Sequence, residues 1–229
     1  MKPGNLSDIK VPNPAVRRKM RLDFCVLLSA GRFSFPLDAE NRKEYIMKKS
    51  PVRTIVAIGI GAALFFVLGR FVAIPSPVPN TNISLQYGLL AFMAAIYGPI
   101  AGSLIGLIGH ALIDFSYGWG IWWSWVIASA CFGFLIGLVA KRVNLADGEF
   151  GKKDILRFNL FQLVGHVIAW GLIAPVLDIV IYAEPANKVF VQGLVGGISN
   201  IVTTAIVGTL LCVAYAAAKP KKGSLKEEK

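Results

Sequence analysis

From Pro51 to Ala218 the chain is a succession of apolar runs, broken by short stretches of Pro, Gly, Asn and charged residues. A helix needs about 20 apolar residues to cross the hydrocarbon core of a bilayer, and the runs are close to that length. Six helices are predicted: Pro51 to Ile74, Ser84 to Tyr97, a third from the Gly98-Pro99 break to Tyr117, then Trp119 to Ala140, Ile155 to Ile181 and Asn187 to Ala218. The second is short, so it is expected to tilt little or to meet lipid over only part of its surface. The sixth is long enough to protrude or to carry an extramembrane turn. The pattern predicts an all-α membrane protein, a bundle of six transmembrane helices.

Composition agrees. Hydrophobic residues make up 55% of the chain and charged residues 16%, a charged share below that of soluble domains. Threading six spans from a cytoplasmic N-terminus puts Lys48, Lys49, Arg53, Lys141, Arg142, Lys152, Lys153, Arg157, Lys219, Lys221 and Lys222 on cytoplasmic flanks. Only Arg70 and Lys188 then flank the outer side. This positive-inside bias predicts cytoplasmic N- and C-termini. The net charge of +11 is therefore assigned to topology and to anionic lipids of the bilayer, with no nucleic-acid partner.

Residues 1–46 read differently, with charge of both signs, four prolines and one short apolar stretch, Phe24 to Ala30. They are expected to be a disordered extension or the product of a misassigned start, with Met47-Lys48-Lys49 a natural beginning for the membrane domain 47–229. Cys25, Cys131 and Cys212 are too widely spaced to suggest a disulfide framework or a metal site.

Several classes lose support. The sequence has no GxxxxGK[ST] phosphate loop, no HExxH and no GxSxG elbow. Nor does it carry a chain of intramembrane acids of the kind found in proton-coupled pumps. Binding is easier to argue than catalysis, and no catalytic residue is assigned. A lipid-directed enzyme using His110 and Asp114 as acid and base, and a stand-alone facilitator, are the competing classes.

Polar side chains inside apolar helices are costly unless partnered, so they mark candidate sites. His110, Asp114 and Tyr117 fall at i, i+4 and i+7 on one face of the third helix. A polar wall of an outward-facing pocket is the preferred reading; a His–Asp hydrogen bond and a metal site completed by His166 are the alternatives. Trp119, Trp122, Trp123 and Trp125 crowd the outer end of the fourth helix, either as an interfacial belt or with some rings turned inward against a flat ligand. His166 and Trp170 share a face of the fifth helix, with Asp178 further out, and Asn200 lies near the middle of the sixth below Gln192. The loop Ile74 to Asn82 holds three prolines and Asn80, Thr81 and Asn82, which suits a stiff lid or an ordinary connector. The expected substrate-binding set is Asn80, Asn82, Gln86, Tyr87, His110, Asp114, Tyr117, Trp119, Trp123, His166, Trp170 and Asn200, with no metal.

The first helix contains Ala57-Ile-Gly-Ile-Gly61 and, in overlapping register, Gly59-Ile-Gly-Ala-Ala63. Small residues four apart permit close helix approach, either within the bundle or against a separate subunit. Gly102 with Gly106, and Gly193 with Gly197, read as internal packing.

From Met47 onward, with Ile83-Ser-Leu-Gln-Tyr-Gly88 and Ala94-Ala-Ile-Tyr-Gly-Pro-Ile-Ala-Gly102, the chain resembles an S component of an energy-coupling factor (ECF) transporter. These strings closely resemble the riboflavin-transporter-like subgroup, which includes members assigned to cobalamin uptake. The resemblance implies a multi-pass subunit of the bacterial cell membrane that captures a vitamin from outside. It also implies docking on a transmembrane coupling subunit that carries two ATPase subunits, so the chain itself is not expected to be an enzyme or to hold a cofactor. The family's AxxxA docking motif maps onto Ala57 and Gly61. The nickel and cobalt subtype has a histidine after its initiator methionine, and Lys48 follows Met47 here, which disfavours a free metal as substrate. Of the vitamins, cobalamin is favoured over riboflavin because the outer loop and aromatic rim suit a bulky ligand.

Overall fold

A computed structural model describes residues 51–118 and 120–219. The expected extension 1–46, Cys25 and Trp119 lie outside the described residues. Five helices are long and apolar enough to cross a membrane: α1 (Pro51–Phe71), α3 (Pro99–Tyr117), α4 (Trp123–Lys141), α5 (Lys152–Tyr182) and α6 (Ala186–Ala218). The sixth, α2 (Gln86–Tyr97), has only 12 residues.

The reason α2 can be short is its position. It packs on α1, α3, α4 and α6, and nine of its residues are buried, Tyr87, Leu90, Ala91 and Ala94 among them. A helix that is apolar all round belongs at the centre of a bundle. The outer helices instead leave Ile55, Ile100, Phe115, Val180 and Leu194 exposed, a surface suited to hydrocarbon.

Glycine sets the tightest contact. A Cβ at Gly102 would meet the Gly133 carbonyl oxygen, and one at Gly133 would meet that of Gly102. Gly106 faces the Ser129 carbonyl in the same way, so α3 and α4 touch backbone to backbone. Close approach of this kind replaces the hydrophobic drive that helices lack in lipid. Gly133→Leu is expected to cost about 3 kcal/mol or more through overpacking, read as a lowered melting temperature in detergent. Gly171→Leu, where nothing lies within 4 Å of the new Cβ, is the matched control. Equal melting of the two variants would remove the close contact from the account.

Between α2 and α3 the chain turns at Gly98, whose φ of 89° favours glycine, and Pro99 opens α3 where a missing N–H costs nothing. α5 and α6 each contain a π-turn, Ala169–Ile173 and Thr204–Gly208. In α5 the wide turn precedes Pro175, whose ring has no N–H for the Gly171 carbonyl and would crowd it in a regular helix. Between α1 and α2, β1 (Ile74–Pro75) and β2 (Asn82–Ile83) pair antiparallel. The Pro-rich connector is thus a compact hairpin; Asn80 takes a left-handed φ of 57° at its tip.

Apart from Arg70 and Lys188, the described basic residues gather at the end opposite this hairpin. Arg157 Nη1 donates to the Arg142 carbonyl at 3.1 Å, and Lys219 Nζ donates to the Ala146 carbonyl. The helix ends carrying Lys141, Lys152 and Lys219 therefore sit together, in accord with the charge asymmetry of the sequence.

Candidate functional site

Two adjoining chambers of about 310 and 390 Å³ open beneath the hairpin. Asn80, His110, Asp114 and Trp125 line both, so they form one continuous cleft. Of the expected residues, Asn80, Asn82, Gln86, Tyr87, His110, Asp114, Tyr117, Trp170 and Asn200 all line the inner chamber. The i, i+4, i+7 face of α3, with His110, Asp114 and Tyr117, thus lines the inner chamber.

A hydrogen-bonded chain holds that face. Tyr87 Oη lies 2.9 Å from Ser129 Oγ, and Ser129 Oγ lies 2.5 Å from His110 Nδ1. His110 Nε2 faces Asp114 Oδ1 at 3.6 Å, beyond hydrogen-bond reach. The other oxygen, Asp114 Oδ2, accepts the backbone N–H of Trp122 at 2.9 Å. That bond fixes where the connector meets α4. Helix α4 then starts at Trp123, later than the predicted Trp119, because Gly118 and Gly120 take left-handed φ values of 84° and 90° just before it.

Asp178 organises the aromatic side. It is 2% exposed and accepts from Trp122 Nε1 and Trp125 Nε1, both at 2.6 Å, and from Ser124 Oγ. The two indoles are thereby aimed. Trp122 stacks on Tyr182 with centroids 4.2 Å apart, and Trp125 lies 5.3 Å from Trp170 at an angle of 31°. On the far side, Gln192 Nε2 donates to the Pro79 carbonyl at 2.9 Å and ties the hairpin down to α6. Glu184 and Lys188, 2.7 Å apart, complete the outer chamber.

Three expectations need correction. Trp123 is 48% exposed and lines neither chamber; its backbone N–H donates to Tyr182 Oη. Trp122 and Trp125 line the cleft instead. They fall at i and i+3 with Ser129 at i+7, so the polar residue in the apolar helix marked the inward face. His166 is fully buried behind the cleft. Its Nδ1 accepts from Trp170 Nε1 at 2.9 Å, which leaves the proton on Nε2 to reach Thr204 Oγ1 at 3.0 Å. With both nitrogens engaged, His166 is a brace between the two π-turns and no third ligand for a metal. Among the described residues no three His, Cys, Asp or Glu side chains group to hold an ion.

The third correction concerns α1. Ala57 and Gly61 are buried, and a Cβ at Gly61 would meet Ile105 Cδ1 at 2.7 Å and Met93 Cε at 3.3 Å. That register packs inside the bundle. Gly59 and Ala63 are exposed, and a Cβ at Gly59 meets nothing within 4 Å. The overlapping register is the one that faces outward.

A helical membrane bundle with a polar and aromatic cleft at one end, closed by a hairpin, defines a membrane-embedded binding protein. Residues 49–217 match the model of the family described as ECF-type riboflavin transporter, S component, and the chain belongs to that family. It is a multi-pass protein of the bacterial cell membrane and a substrate-binding subunit of a vitamin-type transporter. The chain is 53% identical over 181 residues to a UPF0397 protein of Enterococcus faecalis, covering 79% of this chain and 99% of the relative. Over 183 residues it is 52% identical to a UPF0397 protein of Lactococcus lactis, with 80% and 100% covered. A UPF0397 protein of Staphylococcus aureus is 51% identical over 184 residues, again with 80% and 100% covered. No solved structure matches the chain significantly.

Proposed function

We propose that the chain captures a planar vitamin in the cleft beneath the hairpin, on the outer side of the membrane, and delivers it through an ATP-driven coupling module. The observation that carries this reading is the inner chamber of about 390 Å³, walled by Tyr87, Tyr117, Trp125 and Trp170 and edged by the amides of Asn82, Gln86 and Asn200. Aromatic walls with a few fixed polar groups suit a flat conjugated ligand. The outward placement follows from the clustering of basic residues at the opposite end.

Size bears on the choice of vitamin. Chambers of 310 and 390 Å³ suit a molecule of riboflavin's dimensions, its ring inside and its chain in the outer chamber. Cobalamin, the bulkier ligand favoured by the sequence, needs the hairpin to lift away from Gln192. Riboflavin is therefore the leading substrate and cobalamin the second. Titration of purified protein in detergent with each vitamin, followed by calorimetry and by quenching of flavin fluorescence, tests this. Tight riboflavin binding is expected. Cobalamin binding alone would reverse the order, and binding of neither would remove both.

Docking on the coupling subunit is assigned to the outward face of α1, where the small residues Gly59 and Ala63 are exposed among Ile55, Ile60 and Leu64. A partner helix can approach closely only along such a line.

A further inference from the structure

We infer that Asp114 is the specificity-determining residue of the cleft and selects a nitrogen heteroaromatic that presents an N–H donor, excluding anions from the inner chamber. The inference rests on the capture role proposed above and adds what the captured molecule must carry.

The two carboxylates of the cleft differ in what they have left to offer. Asp178 is saturated by two indole N–H groups and the Ser124 hydroxyl. Asp114 lines both chambers, yet among the described residues its only hydrogen bond is the Trp122 N–H on Oδ2. Its Oδ1 faces His110 Nε2 at 3.6 Å, too long for a hydrogen bond. A carboxylate oxygen that is 8% exposed as a residue and has no donor calls for one.

The surroundings narrow the class of donor. Among the described residues no Lys or Arg lines the inner chamber. The Arg70 guanidinium sits 4.3 Å over the Tyr117 ring, and Lys188 belongs to the outer chamber with its partner Glu184. An anionic group in the inner chamber would therefore face Asp114 with no Lys or Arg among the described lining residues to pair with it. Asn200, 5% exposed, lines the same chamber with its Oδ1 unpartnered, a second polar group left for a ligand edge. Both oxygens accept, so a flat ring presenting N–H donors meets both demands between the Trp125 and Tyr87 walls.

The test uses the full chain in detergent and four probes: riboflavin, 3-methylriboflavin (the same ring without its N–H), thiamin (an aminopyrimidine) and nicotinate (an aromatic carboxylate). Calorimetry on the wild type is expected to show binding of riboflavin or thiamin and none of nicotinate. Methylation of the flavin N–H is expected to weaken binding about ten- to a hundredfold, the usual loss when a charged acceptor is left unpaired. In Asp114→Asn the gap between the two flavins should close to within a few-fold, a change that a merely structural role would not produce. Should that variant not fold, the wild-type comparison of the two flavins decides alone. Equal binding of the two flavins, tight binding of nicotinate, or an undiminished gap in Asp114→Asn overturns the inference while leaving the capture role standing. Binding of cobalamin alone does the same. If neither the four probes nor cobalamin bind, the inference and the capture role fall together.

Discussion

Gly59→Trp is expected to reduce vitamin uptake by cells to background while the purified variant binds its vitamin as the wild type does. Gly59 is exposed on α1, and nothing in the bundle lies within 4 Å of a Cβ placed there. The substitution therefore leaves the fold alone and adds bulk only to the outward face beside Ala63. Helices in a bilayer associate through close contact across small residues, so a bulky ring at that point keeps the coupling subunit at a distance. Gly61→Trp is the informative contrast. Its side chain enters the space of Ile105 and Met93, and a loss of stability of about 1–3 kcal/mol or more is expected from overpacking. Uptake assays paired with melting curves separate the two. Normal uptake by Gly59→Trp would move the docking surface off this face of α1.

Asp178→Ala is expected to disable the cleft from within. The substitution removes the common acceptor of Trp122, Trp125 and Ser124. Each buried donor left unpaired costs about 1–3 kcal/mol, although the three are not additive. A net loss of about 3 kcal/mol in stability is the reasonable scale. Both indoles also lose their orientation, so the stacks on Tyr182 and Trp170 loosen. Vitamin affinity should fall about a hundredfold, which corresponds to roughly 2.8 kcal/mol. Asp178→Asn, which keeps one acceptor oxygen, should fall between the two. Calorimetry gives the affinity, and red-shifted tryptophan emission reports the freed rings. Unchanged emission with unchanged affinity would mean that Asp178 does not aim them.

How much of the site was legible in the chain depended on which kind of signal carried it. His110, Asp114 and Tyr117 were legible because helical periodicity alone puts them on one face, and polar groups in an apolar helix must turn inward. The tryptophans were not. Four rings within seven residues satisfy an interfacial belt as well as a pocket, and the choice of Trp122 and Trp125 over Trp123 follows from an acceptor, Asp178, more than 50 residues away. His166 misled for the opposite reason. Its position on the inward face was legible, but its partners Trp170 and Thr204 use both nitrogens and withdraw it from the cleft.

By itself the sequence determined the apolar helices, the uneven spread of charge between their ends and the internal glycine contacts. Those follow from hydropathy, charge and side-chain size, which act locally and leave a record at each position. The tertiary structure alone decided which register of α1 faces outward, which rings wall the cleft and that Asp178 is saturated while Asp114 is not. Each of these depends on the rotation of one helix against its neighbours, and in a bilayer that rotation is set by packing between helices that are all apolar, where hydropathy carries no directional information.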